Sequence, residues 1–330
     1  MSRYAEAHGE PKGPGDARPT AMQIVRDEGM INGLTGQVIV ITGTSSGIGI
    51  ETARALAATG ATLFLTARDV AKAQSALADF FDPQRMTIVE MDQADLSSVR
   101  RAASAILAKT SKVHLLVNNA GIMAIPDLRF TADGHELQFG TNHLSHFLLF
   151  KLLQPALLAS ASEDLPSRVV VLTSSGHNTS GLVDGGDYNF EKTDYHPFIS
   201  YGSSKTANIY MSNEIERRFG SQHLHSTSVH PGIISTGLTR HMPPDAFVGM
   251  EHLYPVMKSP EQGAATSVLA AIGNQWKHQG GKYIADCETA PPHGDGDDVF
   301  TSGGYAKHAY DEEKALKLWE DSLTLVGLVE

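Results

Sequence analysis

Short runs of β-branched and other apolar residues alternate along the chain with longer segments in which apolar positions recur at helical spacing. The first run, Gln-Val-Ile-Val-Ile-Thr over residues 37–42, precedes a glycine-rich turn and a helical pattern over residues 51–58. The same alternation predicts later strands at 62–67, 87–91, 114–117, 168–173, 225–230 and 281–285. It predicts later helices at 70–80, 96–109, 136–158, 201–219, 259–272 and 311–323.

Strand–helix alternation with short links is typical of a parallel sheet covered by helices on both faces. We therefore predict the α/β fold class, as a single Rossmann-type doubly wound parallel sheet of about seven strands. No shift in composition divides the pattern, so residues 19–330 are expected to form one domain. Residues 237–258 are rich in proline, methionine and aromatic residues and are predicted to form a small substrate lid. The polar residues 1–18 are predicted to be a flexible tail.

The composition limits the class of partner and compartment. The chain has 330 residues and a formal net charge of −11, which argues against a nucleic-acid partner. Its one cysteine, Cys287, excludes an intramolecular disulfide. No segment is typical of a secretory signal or apolar enough to span a bilayer, so a cytoplasmic protein is expected. None of the 15 histidines has zinc-like spacing, so no metal site is predicted.

The turn after the first strand has the chemistry of a phosphate cradle. Its spacing, Gly-x-x-x-Gly-x-Gly from Gly43 to Gly49, allows a tight turn and a close approach of backbone to an anion. A helix begins there, so backbone N–H groups at its N-terminus face the same point. The alternative is a glycine turn without a ligand. The residues predicted to hold the cofactor phosphates are Gly43, Ser45, Ser46, Gly47, Ile48 and Gly49.

The end of the second strand indicates which dinucleotide is bound. Proteins that select NAD usually carry a carboxylate here for the ribose 2′-hydroxyl. Ala67 and Arg68 occupy this position instead. Since a guanidinium pairs well with a 2′-phosphate, we predict NADP(H), with NAD(H) as the less favoured cofactor. The alternative is that Arg68 is a solvated surface residue.

Several short motifs occur together in one order along the chain. They are Thr42-Gly43-x-x-x-Gly47-x-Gly49, Asn118-Asn119-Ala120-Gly121, Asn142, Ser174-Ser175, Tyr201-Gly-Ser-Ser-Lys205 and His230-Pro231-Gly232. In this combination the chain resembles the short-chain dehydrogenase/reductase family over roughly residues 36–290. It is most similar to the retinol-dehydrogenase-like reductases. That narrower likeness is carried by Thr66–Asp69, Thr141–Phe147 and Leu318–Trp319.

Tyr201 is the candidate for the acid/base group that hydride chemistry at a carbonyl or alcohol carbon requires. Lys205 lies one helical turn later, so both side chains share a face of the predicted helix. A nearby ammonium favours the phenolate, which lowers the pKa of the phenol from its usual value of about 10. The alternative is an ordinary helix face with a packed tyrosine and a solvated lysine.

The resemblance implies roles for further residues. Ser175 is expected to hold the substrate oxygen beside Tyr201, with Ser174 as the competing choice. Asn142 is expected to bind a water that links Lys205 to solvent. The remaining cofactor contacts are expected from Asp92, Gln93, Asn119, Ala120, Gly121, Pro231, Gly232, Ile233 and Thr236, together with Tyr201 and Lys205.

The sequence thus predicts an NADP(H)-dependent oxidoreductase that transfers a hydride between nicotinamide and a carbonyl or alcohol of an apolar small molecule. One alternative is a related cofactor-binding protein without redox turnover. Another is an epimerase or dehydratase that uses the same tyrosine and lysine. A homodimer or homotetramer is also expected, through pairing of the predicted helices 136–158 and 201–219.

Overall fold

The computed structural model describes residues 3–242, 249–294, 296–299 and 301–329. Its strands are β1 (Val38–Thr42), β2 (Thr62–Ala67), β3 (Met86–Glu90), β4 (Leu115–Asn118), β5 (Ser167–Leu172), β6 (Leu224–Val229), β7 (Ile233–Ile234), β8 (Met257–Lys258), β9 (Lys282–Ala285) and β10 (Glu288–Thr289). Its helices are α1 (Ala5–Gly9), α2 (Ala21–Asp27), α3 (Ile48–Ala57), α4 (Val70–Leu77), α5 (Leu96–Leu107), α6 (Leu137–Phe139), α7 (Ser145–Leu158), α8 (Pro197–Phe219), α9 (Pro260–Gly263), α10 (Ala265–Ile272) and α11 (Glu312–Leu325).

Eight strands form the main sheet, in the order β10-β9-β6-β5-β4-β1-β2-β3. All neighbours are parallel except β10, which pairs antiparallel with β9. The predicted α/β class and doubly wound parallel sheet are confirmed, with one strand more than predicted. The extra strand follows a tight reversal at Asp286 and Cys287, both at positive φ, where no glycine or proline marks a turn.

Helices cover both faces of the sheet, and apolar strand residues pack against them on each face. One core layer lies under α2, α3 and α10, and the other lies under α5, α7, α8 and α11. Strands β1, β4, β5 and β6 are buried along their whole length, as central parallel strands require.

The long helical stretch predicted over residues 136–158 is divided. A π-helical turn, Gly140–Leu144, separates α6 from α7, and the Ser145 N–H donates to the Gly140 carbonyl five residues earlier. Such turns inside helices occur frequently at functional sites. This one contains Asn142.

The helices expected to pair between subunits are covered within one chain. α7 packs against α5, and α8 packs against α11. Trp319 of α11 contacts the rings of Phe147, Phe150 and Phe219. Each of these helices thus has a packing partner within one chain, and the oligomeric state stays a prediction.

The N-terminal segment differs from the predicted flexible tail. Tyr4 is 6% exposed and Arg18 is 4% exposed. The Arg18 guanidinium donates to the carbonyls of Gly13, Pro255, Val256 and Met257. Gln262 also donates to the carbonyl of Arg18. A polar composition predicted disorder, but Arg18 makes hydrogen bonds with residues more than 200 positions away in the chain.

The proposed lid, residues 237–258, is described in part. Gly237–His241 and Glu251–Val256 form 3₁₀ turns, and residues 243–248 lie outside the described residues. The segment ends in β8, which pairs with β7 beside the main sheet. In the part of the chain that the structure describes, no helix is long and apolar enough to cross a membrane.

Candidate active site

The sequence motifs meet at the carboxyl edge of the sheet. β1 lies between β2 and β4 in the sheet, and the strand order reverses between β1 and β4. Ligands of open α/β sheets bind in the crevice where the strand order reverses in this way. Residues that follow β1, β4 and β5 reach this crevice, and the N-terminal half of α8 packs against the residues after β5.

The glycine turn is shaped as a cradle that side chains would fill. Gly43 has φ +73°, and a Cβ there would lie 2.8 Å from Cα of Ala120. Gly47 has φ +61° and lies against Thr236. α3 begins immediately afterwards without a side-chain cap, so its first N–H groups point into the cradle. These features fit a dinucleotide phosphate.

Thr42, at the end of β1, joins the cradle to the segment after β4. Its hydroxyl oxygen accepts hydrogen bonds from the backbone N–H of Asn119 at 2.9 Å and of Ala120 at 3.0 Å. The Asn119 side chain donates back to the Thr42 carbonyl at 2.8 Å. Gly49 packs against this amide, since a Cβ there would lie 2.7 Å from Nδ2 of Asn119. The predicted cradle and the predicted Asn119–Ala120 segment therefore form one continuous floor.

The other predicted residues on the adenosine side lie around this floor. Ser45 and Ile48 are partly buried and Ser46 is exposed. Arg68 is exposed at the end of β2. After β3, the Asp92 carboxylate accepts from the Ala94 N–H, and the Gln93 side chain reaches inward to His146.

Tyr201 and Lys205 lie on one face of α8, each 5% exposed. The helix begins four residues before Tyr201, with Pro197 in its first turn and a cap from His196. The Lys205 Nζ lies 5.6 Å from the centroid of the Tyr201 ring and donates to the Leu172 carbonyl at 3.3 Å. Two predicted residues one turn apart are thus brought to the end of β5.

Burial is the largest influence on the pKa values of Tyr201 and Lys205. Burial lowers the pKa of Lys205 to about 8. Burial raises the pKa of Tyr201 to about 12, against a smaller lowering by a hydrogen bond with Ser174. The sequence predicted a lowered pKa for Tyr201, whereas burial raises it in the structure.

The two adjacent serines after β5 lie in different environments. The Ser174 side chain bonds Tyr201 and accepts from the Gly176 N–H at 3.1 Å. Ser175 is 4% exposed, and its N–H donates to Nδ1 of His230. The structure therefore places the competing choice, Ser174, at the tyrosine, and the role of Ser175 stays a prediction. Successive residues of an extended chain point to opposite sides, so a shift of one position reverses the assignment.

Asn142 is fully buried, and its side chain is held on three sides. Its Oδ1 accepts from the Ile122 N–H at 2.9 Å, while its Nδ2 donates to the Ile122 carbonyl at 3.0 Å and to the Ser204 hydroxyl at 2.9 Å. The neighbouring Gly121 separates it from Lys205. The Asn142 amide and the Lys205 ammonium therefore both lie next to Gly121.

The segment after β6 carries the remaining predicted residues. Pro231 leads to Gly232, whose φ is +99° and whose Cβ would lie 2.9 Å from Cδ of Lys258. Ile233 pairs with Met257 in the small β7–β8 sheet.

Sequence reasoning missed the buried Lys258, which makes a 2.6 Å ion pair with Asp286 under this segment. No local motif marks either residue. The pair forms because β8 and the β9–β10 reversal meet only in the folded chain.

The fold and the site define a class of protein: a Rossmann-type domain with a glycine cradle and a tyrosine–lysine pair at its switch point. A family model described as short chain dehydrogenase matches residues 37–246. The chain belongs to the short-chain dehydrogenase/reductase family, whose members are oxidoreductases that bind a nicotinamide cofactor.

Individual relatives extend this assignment along the whole chain. The chain is 45% identical to the short-chain dehydrogenase/reductase prx1 of Penicillium roqueforti, over 99% of this chain and 96% of that protein. It is 35% identical to retinol dehydrogenase 12 of Mus musculus, over 89% of this chain and 88% of that protein. Among solved structures, the Pseudomonas aeruginosa RhlG/NADP complex is 25% identical with a TM-score of 0.62, covering 78% of this chain and 96% of that chain.

Proposed function

We propose that this protein is an NADP(H)-dependent carbonyl reductase or alcohol dehydrogenase in which Tyr201 is the general acid/base. The observation that carries the proposal is the convergence of Tyr201, Lys205 and Ser174 at the end of β5, beside a cradle suited to a dinucleotide. Membership in an oxidoreductase family supports the same chemistry.

When bound, a nicotinamide cofactor supplies or accepts the hydride, and the residues of the chain manage the proton. The Tyr201 hydroxyl donates its proton to the carbonyl oxygen during reduction and accepts it back during oxidation. Its raised pKa, about 12, keeps it protonated near neutral pH, as an acid for reduction must be. The Ser174 hydroxyl orients the same oxygen, and a charged Lys205 stabilises the phenolate that remains.

The preference for NADP(H) is proposed from Arg68, which stands exposed at the end of β2 where a 2′-phosphate would lie. Arg68→Ala should weaken NADPH binding roughly tenfold to a hundredfold, because a charged hydrogen bond contributes about 1.5–3 kcal/mol, and should leave NADH binding unchanged. Arg101→Ala, an exposed arginine on α5, is the matched control. An unaltered ratio of NADPH to NADH affinity would exclude the role of Arg68.

An apolar substrate is proposed from the described surface at the site. The candidate substrate walls are residues 176–200 and the described parts of residues 237–258. Phe198 and Ile199, just before Tyr201, are each 42% exposed. Large apolar side chains that remain open to solvent beside a site are typical of surfaces that bind apolar ligands. The retinol dehydrogenases among the relatives are consistent with this chemistry.

The test is NADPH consumption over a panel of apolar ketones and aldehydes, with NADH run in parallel. Turnover should fall by about a thousandfold in Tyr201→Phe, while NADPH binding measured by fluorescence stays unchanged. Tyr4→Phe is a matched control, since that hydroxyl donates to the Asp27 carboxylate, outside the residues assigned to the site. Full activity in Tyr201→Phe would exclude its acid/base role. Tight NADPH binding without turnover on any compound would favour a non-catalytic function.

A further inference from the structure

We propose that His146 is a positioning residue whose neutral imidazole fixes the Asn142 carbonyl against the cofactor floor. His146 is fully buried in the first turn of α7. Its Nδ1 lies 2.9 Å from the Asn142 carbonyl oxygen, and its Nε2 lies 2.9 Å from the Thr42 hydroxyl. The Gln93 amide nitrogen also lies 2.9 Å from Nε2. The inference rests on the proposed function of the same site.

Hydrogen-bond chemistry assigns the tautomer of this ring. A carbonyl oxygen only accepts, so Nδ1 must carry the hydrogen that bonds Asn142. The Gln93 amide nitrogen only donates, so Nε2 must be an acceptor. The Thr42 oxygen already accepts two backbone N–H groups, which leaves its own hydrogen to point at Nε2. The three partners together require a neutral ring protonated at Nδ1.

The charges around the ring favour the same state. Burial, opposed by the hydrogen bond to the Asn142 carbonyl and assisted by the Lys205 ammonium, lowers the pKa of His146 to about 4. His143, one turn before on the π-helical segment, is also fully buried and neutral. A second proton on Nε2 would meet the hydrogens of Thr42 and Gln93. The ring therefore stays neutral over the pH range in which the site would work.

The bridge connects two parts of the site that the chain brings together only after folding. Thr42 holds the segment of Asn119 and Ala120 at the end of β4. The Asn142 carbonyl belongs to the π-helical turn, where regular helix hydrogen bonding is interrupted. His146 supplies a donor to that carbonyl from its side chain. It thereby sets the distance between the π-helical turn, next to Lys205, and the cofactor floor.

The first test measures the ring itself in the protein without cofactor. Two-dimensional ¹H–¹⁵N spectra of histidine-labelled protein report which ring nitrogen is protonated, and the His146 signals are assigned by their loss in His146→Asn. We expect the neutral Nδ1–H form from pH 8 down to about pH 5. An Nε2–H tautomer or a charged ring at pH 7 would overturn the proposal. This result does not depend on turnover, so it separates failure of the bridge from failure of the proposed function.

The second test uses two amides that each imitate one nitrogen of the ring. In His146→Asn the amide nitrogen replaces Nδ1 and keeps the bond to the Asn142 carbonyl. In His146→Gln the longer amide replaces Nε2 and loses that bond. We expect kcat within about threefold of the parent for the asparagine variant and about tenfold or more below it for the glutamine variant.

The affinity for NADPH should stay within about threefold in both variants, because the cradle glycines are unaltered. This separation of kcat from cofactor binding distinguishes positioning from general damage to the fold. Equal kcat in the two variants, whether high or low, would show that the bond to Asn142 has no role in catalysis.

Discussion

Gly121 lies against Lys205: a Cβ on Gly121 would be 3.4 Å from the lysine Nζ and 3.2 Å from Oδ1 of Asn142. The distance to Oδ1 of Asn142 is tighter than an ordinary contact, and the distance to Nζ lies at the lower limit of ordinary van der Waals contact. The absence of a side chain at this position therefore lets Lys205 and Asn142 occupy their observed places. Gly121 does not have a positive φ, so alanine is compatible with its backbone.

Gly121→Ala should accordingly lower kcat by about tenfold, because the new methyl group moves the Asn142 amide beside Lys205 by a few tenths of an ångström. The thermal unfolding midpoint should change little. Gly9→Ala is the matched control, since nothing lies within 4 Å of a Cβ there. Steady-state kinetics with an unchanged kcat for Gly121→Ala would contradict the close approach.

The two serines after β5 should have unequal effects. Ser174→Ala removes the hydroxyl at Tyr201, and kcat should fall by about a hundredfold, as expected for loss of one preorganised donor at the reacting oxygen. Ser175→Ala removes a hydroxyl from a buried position whose backbone makes the bond to His230, so kcat should stay within about threefold. The comparison is decided by kcat for each variant. A larger loss for Ser175→Ala would restore the choice made from the sequence.

The N-terminal segment should contribute to global stability. Arg18→Met would leave four carbonyls and the partly buried Asp16 carboxylate without their guanidinium, a loss of about 3 kcal/mol in the free energy of unfolding. Urea denaturation followed by circular dichroism measures this change. Arg101→Met, with its side chain 69% exposed, should change the free energy by less than about 0.5 kcal/mol. Similar midpoints for the two variants would indicate that residues 3–18 behave as a tail.

Lys205 should make stability rise with pH. Its pKa is about 8 in the folded chain and 10.5 ordinarily, so the unfolded chain binds more protons between these values. Folding is therefore disfavoured below pH 8 by the buried ammonium and recovers as pH rises toward 10.5. The stability advantage of Lys205→Met over the parent should shrink by about 3 kcal/mol across this window. Urea titrations at pH 7 and pH 10 measure it, and a constant difference would show that the ammonium is solvated.

Much of the site could be predicted because its signals are local. The β-branched run of β1, the glycines at 43, 47 and 49, and the four-residue spacing of Tyr201 and Lys205 each constrain a few neighbouring residues. Backbone geometry then dictates the outcome: a strand must turn at the glycines, and residues four apart on a helix must share a face. These patterns determined the doubly wound sheet and the residues at its carboxyl edge.

Tertiary structure decided what depends on contacts between distant segments. In the sequence Arg18 belongs to a segment predicted to be a polar tail, whereas in the structure its guanidinium donates to the carbonyls of residues 255–257. In the sequence His146 is one residue of a predicted helix, whereas in the structure its ring makes hydrogen bonds with Thr42 and Gln93. Ser174 and Ser175 are equivalent in pattern, and only the packing of α8 against the end of β5 selects the one at Tyr201. The sequence by itself determined periodicity and local turns, whereas burial and hydrogen bonding across the fold determined which side chains complete the site.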